Sequence, residues 1–265
     1  MTPRIMIVGD SISHGAEGDQ TWRHRLSEHL GERDVVVRFV GPWTGTCVLP
    51  EPAAGELAQF ASGVHTRPGR YPRGGGFGDG LHYARWGRTL NEAKTGIAGA
   101  VASCRPDHLM VALGFNDLAW GVSGPAGLLA DLETFVRRAR QARPRLRFLV
   151  ADVVRRTPLA AHPHLGALIT AYNRALPAAF AAMSTPDSPI TPVCLSRLYD
   201  PYSDAYDGLH PNPIGELKIA GAFAEAFLAT RDEAGARGRP AENAVARLQR
   251  ARSTRASSQT GSLLS

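Results

Sequence analysis

Residues 4–11 read Arg4-Ile5-Met6-Ile7-Val8-Gly9-Asp10-Ser11, a short apolar run that ends in a glycine and two polar residues. An apolar run of this length, bounded by a turn residue, predicts a buried strand. Ser11 would therefore lie at a strand-to-turn junction. A serine at such a junction is in a natural position for a nucleophile.

Two further polar motifs stand at comparable places in the chain. Gly114-Phe115-Asn116-Asp117 follows the apolar run at 108–113, and Asp207-Gly208-Leu209-His210-Pro211 precedes the last predicted helix. An aspartate and a histidine three residues apart can supply a base and its orienting group. Together with Ser11, the motifs indicate a serine hydrolase.

Short apolar runs alternate with longer helical patterns along the chain. We expect strands at 4–9, 35–40, 107–113, 146–152 and 189–194, and helices at 19–30, 86–103, 124–142, 161–183 and 212–229. This alternation predicts an α/β fold with a central parallel sheet covered on both faces. Ligands in such folds bind beyond the carboxyl ends of the strands, where the three motifs would meet.

Length and composition favour a globular protein with a tail. The chain has 265 residues, of which 43% are apolar, and no apolar stretch approaches a membrane span. We expect one domain at 1–230, with a long, irregular, lid-like loop region at 42–81, and a basic, disordered tail at 231–265. The first predicted strand begins almost at once and no secretory leader is visible, so we expect a cytoplasmic location.

Charge and cysteine content argue against several other classes. Seven arginines and three acids in residues 231–265 give that tail +4 of the net charge of +6, and no basic stripe is interleaved with aromatic residues. We therefore expect no nucleic-acid partner. The cysteines Cys47, Cys104 and Cys194 are widely spaced and form no C-x-x-C pair, so we expect no disulfide framework and no zinc site. We also expect no cofactor.

A serine hydroxyl needs a neighbouring base to remove its proton, and His210 is the best candidate. Asp207 can hold the other ring nitrogen of His210, with Asp204 and Asp200 as competitors for this role. The attack on an ester carbonyl creates an oxyanion, which fixed hydrogen-bond donors must stabilise. The Ser11 amide, the Asn116 side chain and the Gly45 amide are the predicted donors.

These motifs resemble those of the SGNH hydrolases, which are also called GDSL esterases or lipases. The four blocks of that family are matched in order by Gly9-Asp10-Ser11, Gly45, Gly114-x-Asn116-Asp117 and Asp207-x-x-His210. Gly45 lacks the asparagine that usually precedes it, and Gly41 is the alternative for that block. The segments 21–26, 39–42 and 84–87 are similar to those of an actinobacterial subgroup.

The resemblance implies a flavodoxin-like, three-layer α/β/α sandwich. It implies a catalytic triad of Ser11, Asp207 and His210, an oxyanion hole formed by Ser11, Gly45 and Asn116, and no metal. The implied substrates are esters of lipids, acetylated sugars or small acyl compounds. Transfer of the acyl group to another acceptor by the same triad, or a non-catalytic binding module, are the alternatives, and the oligomeric state stays open.

Overall fold

The computed structural model describes residues 2–48, 67–72 and 80–238. The chain divides into two compact units, Met1–Phe227 and Leu228–Ser265, and the described part of the second unit is the end of a long helix. Residues 49–66 and 73–79 of the expected loop region and residues 239–265 of the expected tail lie outside the described residues. Within the described segments, no helix has the length and apolar character that a membrane span requires.

The described residues form eight strands, seven α-helices and one turn of 3-10 helix at Leu195–Arg197. The strands are β1 (Arg4–Gly9), β2 (Arg38–Phe39), β3 (Thr46–Val48), β4 (Arg67–Gly69), β5 (Tyr83–Ala84), β6 (His108–Ala112), β7 (Arg147–Ala151) and β8 (Ile190–Val193). The helices are α1 (Ser11–His14), α2 (Thr21–Gly31), α3 (Leu90–Cys104), α4 (Phe115–Ala119), α5 (Pro125–Ala142), α6 (Leu165–Met183) and α7 (Pro213–Gly238).

A parallel sheet forms the centre of the fold, as the alternating pattern predicts. Its strand order is β2-β1-β6-β7-β8, and β5 pairs with the carboxyl end of β1 beside β2. The connections through α3, α5 and α6 move across the sheet towards β8, whereas the connection through α2 moves the opposite way, from β1 to β2. Because such crossovers are right-handed, the helices cover both faces of the sheet. The prediction of a three-layer α/β/α fold is confirmed.

Burial on both faces explains why the strands are continuously apolar. Residues 5–8 in β1 and 148–149 in β7 are fully buried between the helical layers. All five predicted strands are present, although the second is reduced to Arg38–Phe39. The last helix extends to Gly238, beyond the predicted end at residue 229. The loop region 42–81 is not wholly irregular, because β3 and β4 pair in antiparallel fashion.

The start of α2 is stabilised from α7 rather than by its own sequence. Asp19, the first residue of the predicted helix, lies before α2 and accepts a hydrogen bond from the Ala16 amide at 2.7 Å. Thr21, with the positive φ of 68°, donates its amide hydrogen to Glu216 Oε1 at 2.7 Å. Glu216 thus satisfies one of the amides that a helix leaves without a partner in its first turn.

Burial raises the pKa of Glu216 from 4.5 to about 7. Two groups oppose this shift because they favour the charged form: the Thr21 amide, and Arg25, whose Nε lies 3.7 Å from Glu216 Oε2. Asp19 adds a further upward contribution. The folded protein therefore holds a proton on Glu216 that the unfolded chain releases above its lower pKa. Stability falls as the pH rises through this interval, because the folded state must then carry a buried charge.

We expect Glu216→Gln to remove this pH dependence. The amide oxygen of glutamine can still accept from Thr21, while the buried ionisation disappears. The variant should gain up to about 3 kcal/mol of unfolding free energy relative to wild type between about pH 5 and pH 8. Urea unfolding at several pH values measures the difference. A difference between the two proteins that is constant over this range would contradict the assignment.

Candidate active site

Ser11 lies where β1 ends and the short helix α1 begins. Asp10 caps this helix, because its carboxylate accepts the Ile12 amide hydrogen at 3.0 Å. A Cβ atom on Gly9 would lie 2.2 Å from Ser13 Oγ, so the turn can close tightly only with glycine at this position. Burial, with a contribution from the Asp117 charge, raises the pKa of Asp10 to about 7. Asp10 therefore supports the turn that presents Ser11.

A continuous series of hydrogen bonds joins Ser11, His210 and Asp207. Ser11 Oγ lies 2.9 Å from His210 Nε2, and His210 Nδ1 lies 2.7 Å from Asp207 Oδ2. The other carboxylate oxygen of Asp207 accepts the amide hydrogens of Leu209 at 3.0 Å and His210 at 2.8 Å. Both Ser11 and His210 are buried, with 6% and 2% of their surfaces exposed.

The electrostatics of Asp207 decide the direction of these hydrogen bonds. Burial alone would raise the pKa of Asp207, but the hydrogen bonds from His210 and Leu209 outweigh it and hold the pKa below its ordinary value. An ionised carboxylate can only accept hydrogen bonds, so His210 carries its proton on Nδ1. The lone pair on Nε2 then faces the Ser11 hydroxyl, which is the arrangement that a general base requires.

The competing carboxylates have other partners. Asp204 accepts hydrogen bonds from the Asp200 amide at 2.7 Å, from Ser203 Oγ at 2.9 Å and from Lys218 Nζ at 2.6 Å. Asp200 accepts the Tyr202 amide hydrogen at 3.0 Å. Of the three aspartates that the sequence offers, the structure brings Asp207 to the imidazole.

Asn116 lies at the start of α4, directly beyond β6, which is paired with β1. Gly114, with the positive φ of 115°, makes the sharp turn between β6 and α4. Asn116 Nδ2 donates to the Arg88 carbonyl at 3.0 Å, and its second hydrogen can serve another acceptor. Asp117 accepts the amide hydrogens of Leu90 and Asn91, so it holds α4 against the start of α3.

Gly45 lies in a loop fixed against the end of α1. Cys47 donates its amide hydrogen to the Gly15 carbonyl at 3.1 Å, and the Glu17 amide donates to the Cys47 carbonyl at 2.8 Å. Gly45 has the positive φ of 82°. Gly41, the alternative glycine, is packed so tightly that a Cβ atom there would lie 2.2 Å from the His82 carbonyl oxygen. The structure therefore gives Gly41 a packing role and places the Gly45 loop beside the helix that begins with Ser11.

A buried arginine that sequence reasoning missed connects the site loops. Arg23 is fully buried and donates to four carbonyl oxygens, those of Ser13 at 2.7 Å, His14 at 3.0 Å, Gly45 at 2.7 Å and Gly80 at 3.2 Å. Only a planar guanidinium offers five donors in a fixed fork. Arg23 thereby holds α1, the Gly45 loop and residue 80 in one arrangement.

Aromatic rings lie against the imidazole of His210. The Trp86 ring is stacked on it with a centroid distance of 4.6 Å, and the Tyr206 ring lies nearly parallel to it at 5.9 Å. The Trp86 amide in turn donates to His14 Nδ1 at 3.1 Å. Burial and the charges of Arg23 and Arg85 lower the pKa of His14 to about 4, so this nitrogen remains an acceptor at neutral pH. These contacts restrict rotation of the His210 ring.

A parallel α/β sheet that carries a hydrogen-bonded serine, histidine and aspartate at its carboxyl edge is an architecture of serine hydrolases. The family model of the GDSL-like lipases/acylhydrolases matches residues 7–217, and the chain belongs to this family. The protein is accordingly a hydrolase that acts on esters. Among the described residues, no group of three or more His, Cys, Asp or Glu side chains is placed to hold a metal ion.

Solved structures share this fold at low sequence identity. An acetyl esterase mutant with an acetate ion is 23% identical with a TM-score of 0.68, over 88% of this chain and 100% of that one. A family 3 carbohydrate esterase from Talaromyces cellulolyticus is 24% identical with a TM-score of 0.68, over 88% and 99%. The family 3 carbohydrate esterase of Clostridium thermocellum is 22% identical with a TM-score of 0.64, over 87% and 97%. No curated protein matches the chain.

We expect Arg23→Lys to destabilise the protein by about 2 kcal/mol, because a lysine keeps the charge but cannot reach all four carbonyl oxygens. Arg33→Lys is the matched control just beyond the end of the same helix, since Arg33 forms its ion pair with Glu225 at the surface. The control should change stability by less than about 0.5 kcal/mol. Urea unfolding of the two variants makes the comparison, and equal losses would refute this role for Arg23.

Proposed function

We propose that the protein hydrolyses carboxylic esters through an acyl-serine intermediate, with Ser11 as nucleophile, His210 as general base and acid, and Asp207 as the orienting carboxylate. The observation that supports this proposal most directly is the unbroken Ser11–His210–Asp207 hydrogen-bond series. The Ser11 hydroxyl has His210 Nε2 as an acceptor for its proton, and the Nδ1 proton of His210 has the Asp207 carboxylate as its acceptor, as the proposed roles require.

In the first half-reaction, Ser11 Oγ attacks the ester carbonyl carbon while His210 Nε2 takes the hydroxyl proton. The tetrahedral intermediate carries a negative oxygen, for which the Ser11 amide, the Gly45 amide and the Asn116 side chain are the proposed donors. Each well-placed donor lowers the barrier by about 3 kcal/mol. The C–O bond to the alcohol then breaks, and His210 returns the proton to the leaving oxygen.

In the second half-reaction, a water molecule replaces the alcohol. His210 Nε2 removes a proton from the water as its oxygen attacks the acyl carbon, and a second tetrahedral intermediate forms on the same oxyanion donors. The bond to Ser11 Oγ breaks, Ser11 regains its proton from His210, and the carboxylic acid leaves. Asp207 stays ionised throughout and stabilises the imidazolium that forms in both steps.

For the substrate, we propose an acyl ester of a small or carbohydrate alcohol, with acetyl esters as the first to test. The similar solved structures include an acetyl esterase with acetate and carbohydrate esterases of family 3. Tyr206, which lies beside His210 and is 52% exposed, offers a flat apolar face of the kind on which a sugar ring can stack. Residues 1–230 are proposed to carry this activity without the basic tail. The cytoplasmic location stays a prediction.

We expect Ser11→Ala to abolish both ester hydrolysis and reaction with a fluorophosphonate probe, because the side chain that forms the acyl bond is gone. Wild-type protein should bind one probe molecule covalently and release free acid from acetyl esters. Mass spectrometry of labelled protein and titration of released acid measure the two effects. Labelling that persists in Ser11→Ala, or products formed only by transfer to an added acceptor, would contradict the proposal.

We expect Asp207→Asn to lower kcat by about a thousandfold or more, because the amide cannot hold His210 in the required tautomer. Asp204→Asn is the matched control, since Asp204 lies in the same loop and contacts Lys218 rather than His210. The control should lose less than about tenfold in kcat. Steady-state kinetics on 4-nitrophenyl acetate compare the two, after circular dichroism has shown that both are folded. Similar losses would remove Asp207 from its proposed role.

A further inference from the structure

A groove rich in arginine runs beside the candidate active site. It has a volume of about 850 Å³ and lies between the loop after β7, the first half of α6 and the segment that follows β8. Arg155 and Arg156 contribute from the loop, Arg174 from α6, and Tyr199 and Tyr202 from the last segment. None of these side chains has a role in the proposed reaction.

The charge of the groove is strongly positive. Three arginines line it against a single carboxylate, that of Asp200, so its formal charge is +2. Arg155 Nη2 donates to Thr170 Oγ1 at 3.0 Å, which fixes the guanidinium at the wall of the groove. In the described part of the chain, Arg155 and Arg174 form no salt bridge with a carboxylate. Their guanidinium groups match the geometry of a bound carboxylate, sulfate or phosphate.

The wall of this groove is directly bonded to the turn that carries Asp207 and His210. The Thr157 amide donates to the Gly208 carbonyl at 2.9 Å, and Tyr199 Oη donates to the Leu209 carbonyl at 2.8 Å. A Cβ atom on Gly208 would lie 2.0 Å from Thr157 Oγ1, so the two segments touch through the glycine. Arg156 interacts electrostatically with the Asp207 carboxylate. The groove wall is therefore held in a fixed position relative to Asp207 and His210.

We propose that this groove binds an anionic group of the ester substrate, a carboxylate, sulfate or phosphate that lies remote from the scissile bond. The inference rests on the proposed function, because it assigns a second contact point to the same substrate. Since Ser11 and His210 do not line the groove, the anionic group and the reacting carbonyl belong to different parts of an extended molecule. Binding energy from such a remote group can position the carbonyl against Ser11.

The test compares acidic esters with neutral isosteres of graded length. One series contains 4-nitrophenyl monoesters of succinic, adipic and suberic acids, each paired with its terminal amide, and places the charge on the acyl side. The other contains acetyl esters of ω-hydroxy acids of increasing length with their amides, and places it on the alcohol side. We expect kcat/KM to favour the acid over the amide by about tenfold at a matching length, and added salt to reduce this preference.

The variant R155Q/R174Q removes two charges from the groove without touching Asp207 or Arg156. We expect it to lower kcat/KM about five- to tenfold for the preferred acidic ester and to leave the neutral amide within about twofold. The matched control is R38Q/R145Q, which removes two charges from exposed arginines outside the groove. It should leave both substrates unchanged.

Failure of the inference and failure of the proposed function give different results. If neutral esters are hydrolysed but acid and amide are used equally in both series, the inference is wrong and the function stands. The inference is also wrong, and the function still stands, if R155Q/R174Q leaves the preference for the acid over the amide intact, or if R38Q/R145Q lowers this preference as much as R155Q/R174Q does. If no ester in either series is hydrolysed and Ser11 does not react with a fluorophosphonate, both are wrong.

Discussion

The imidazole of His210 joins the two ends of the domain, and the geometry of the site depends on its two hydrogen bonds. Ser11 and His210 are 199 positions apart, so the bond between them forms only when the whole sheet is assembled. Parallel pairing of β1 with β6 and of β6 with β7 places the carboxyl ends of these strands at one edge. The turn at 207–210 then needs only local bonds to aim the ring at Ser11.

Burial gives the histidines around the site different uses. His82 accepts the Ala84 amide hydrogen on Nδ1 and lies 3.2 Å from the Gly45 carbonyl through Nε2, which is the geometry of a neutral ring with its proton on Nε2. Burial and nearby positive charge hold the pKa of His82 well below its ordinary value, and the same causes lower that of His14. Both rings therefore serve as fixed polar supports, whereas His210 alone of the three contacts an ionised carboxylate, which can stabilise a positive ring.

The sheet could be predicted because its strands depend on local patterns. Apolar runs mark the strands. Ser11 and Asn116 stand directly after two of these runs and His210 stands before the last helix, which is why they are expected to meet at one edge of the sheet. The role of Arg23 could not be predicted, because nothing local distinguishes it from Arg25 two positions later. Its burial depends on carbonyl oxygens of residues 13, 45 and 80, whose meeting is a property of the folded chain. The capping of α2 by Glu216 escaped prediction for the same reason.

The turn at 207–210 contacts both the candidate active site and the wall of the arginine groove. These two sets of contacts together account for all four of its residues, whereas the proposed reaction accounts for only two. Asp207 and His210 are the only members of the turn that the proposed reaction uses. Gly208 and Leu209 instead offer carbonyl oxygens to Thr157, which lies between the groove residues Arg156 and Pro158, and to Tyr199, which lines the groove. Gly208, with the positive φ of 82°, permits both the turn and the close contact with Thr157. Displacement of the groove wall would therefore be transmitted to the backbone immediately before His210, so a ligand that fixes this wall would also fix the imidazole.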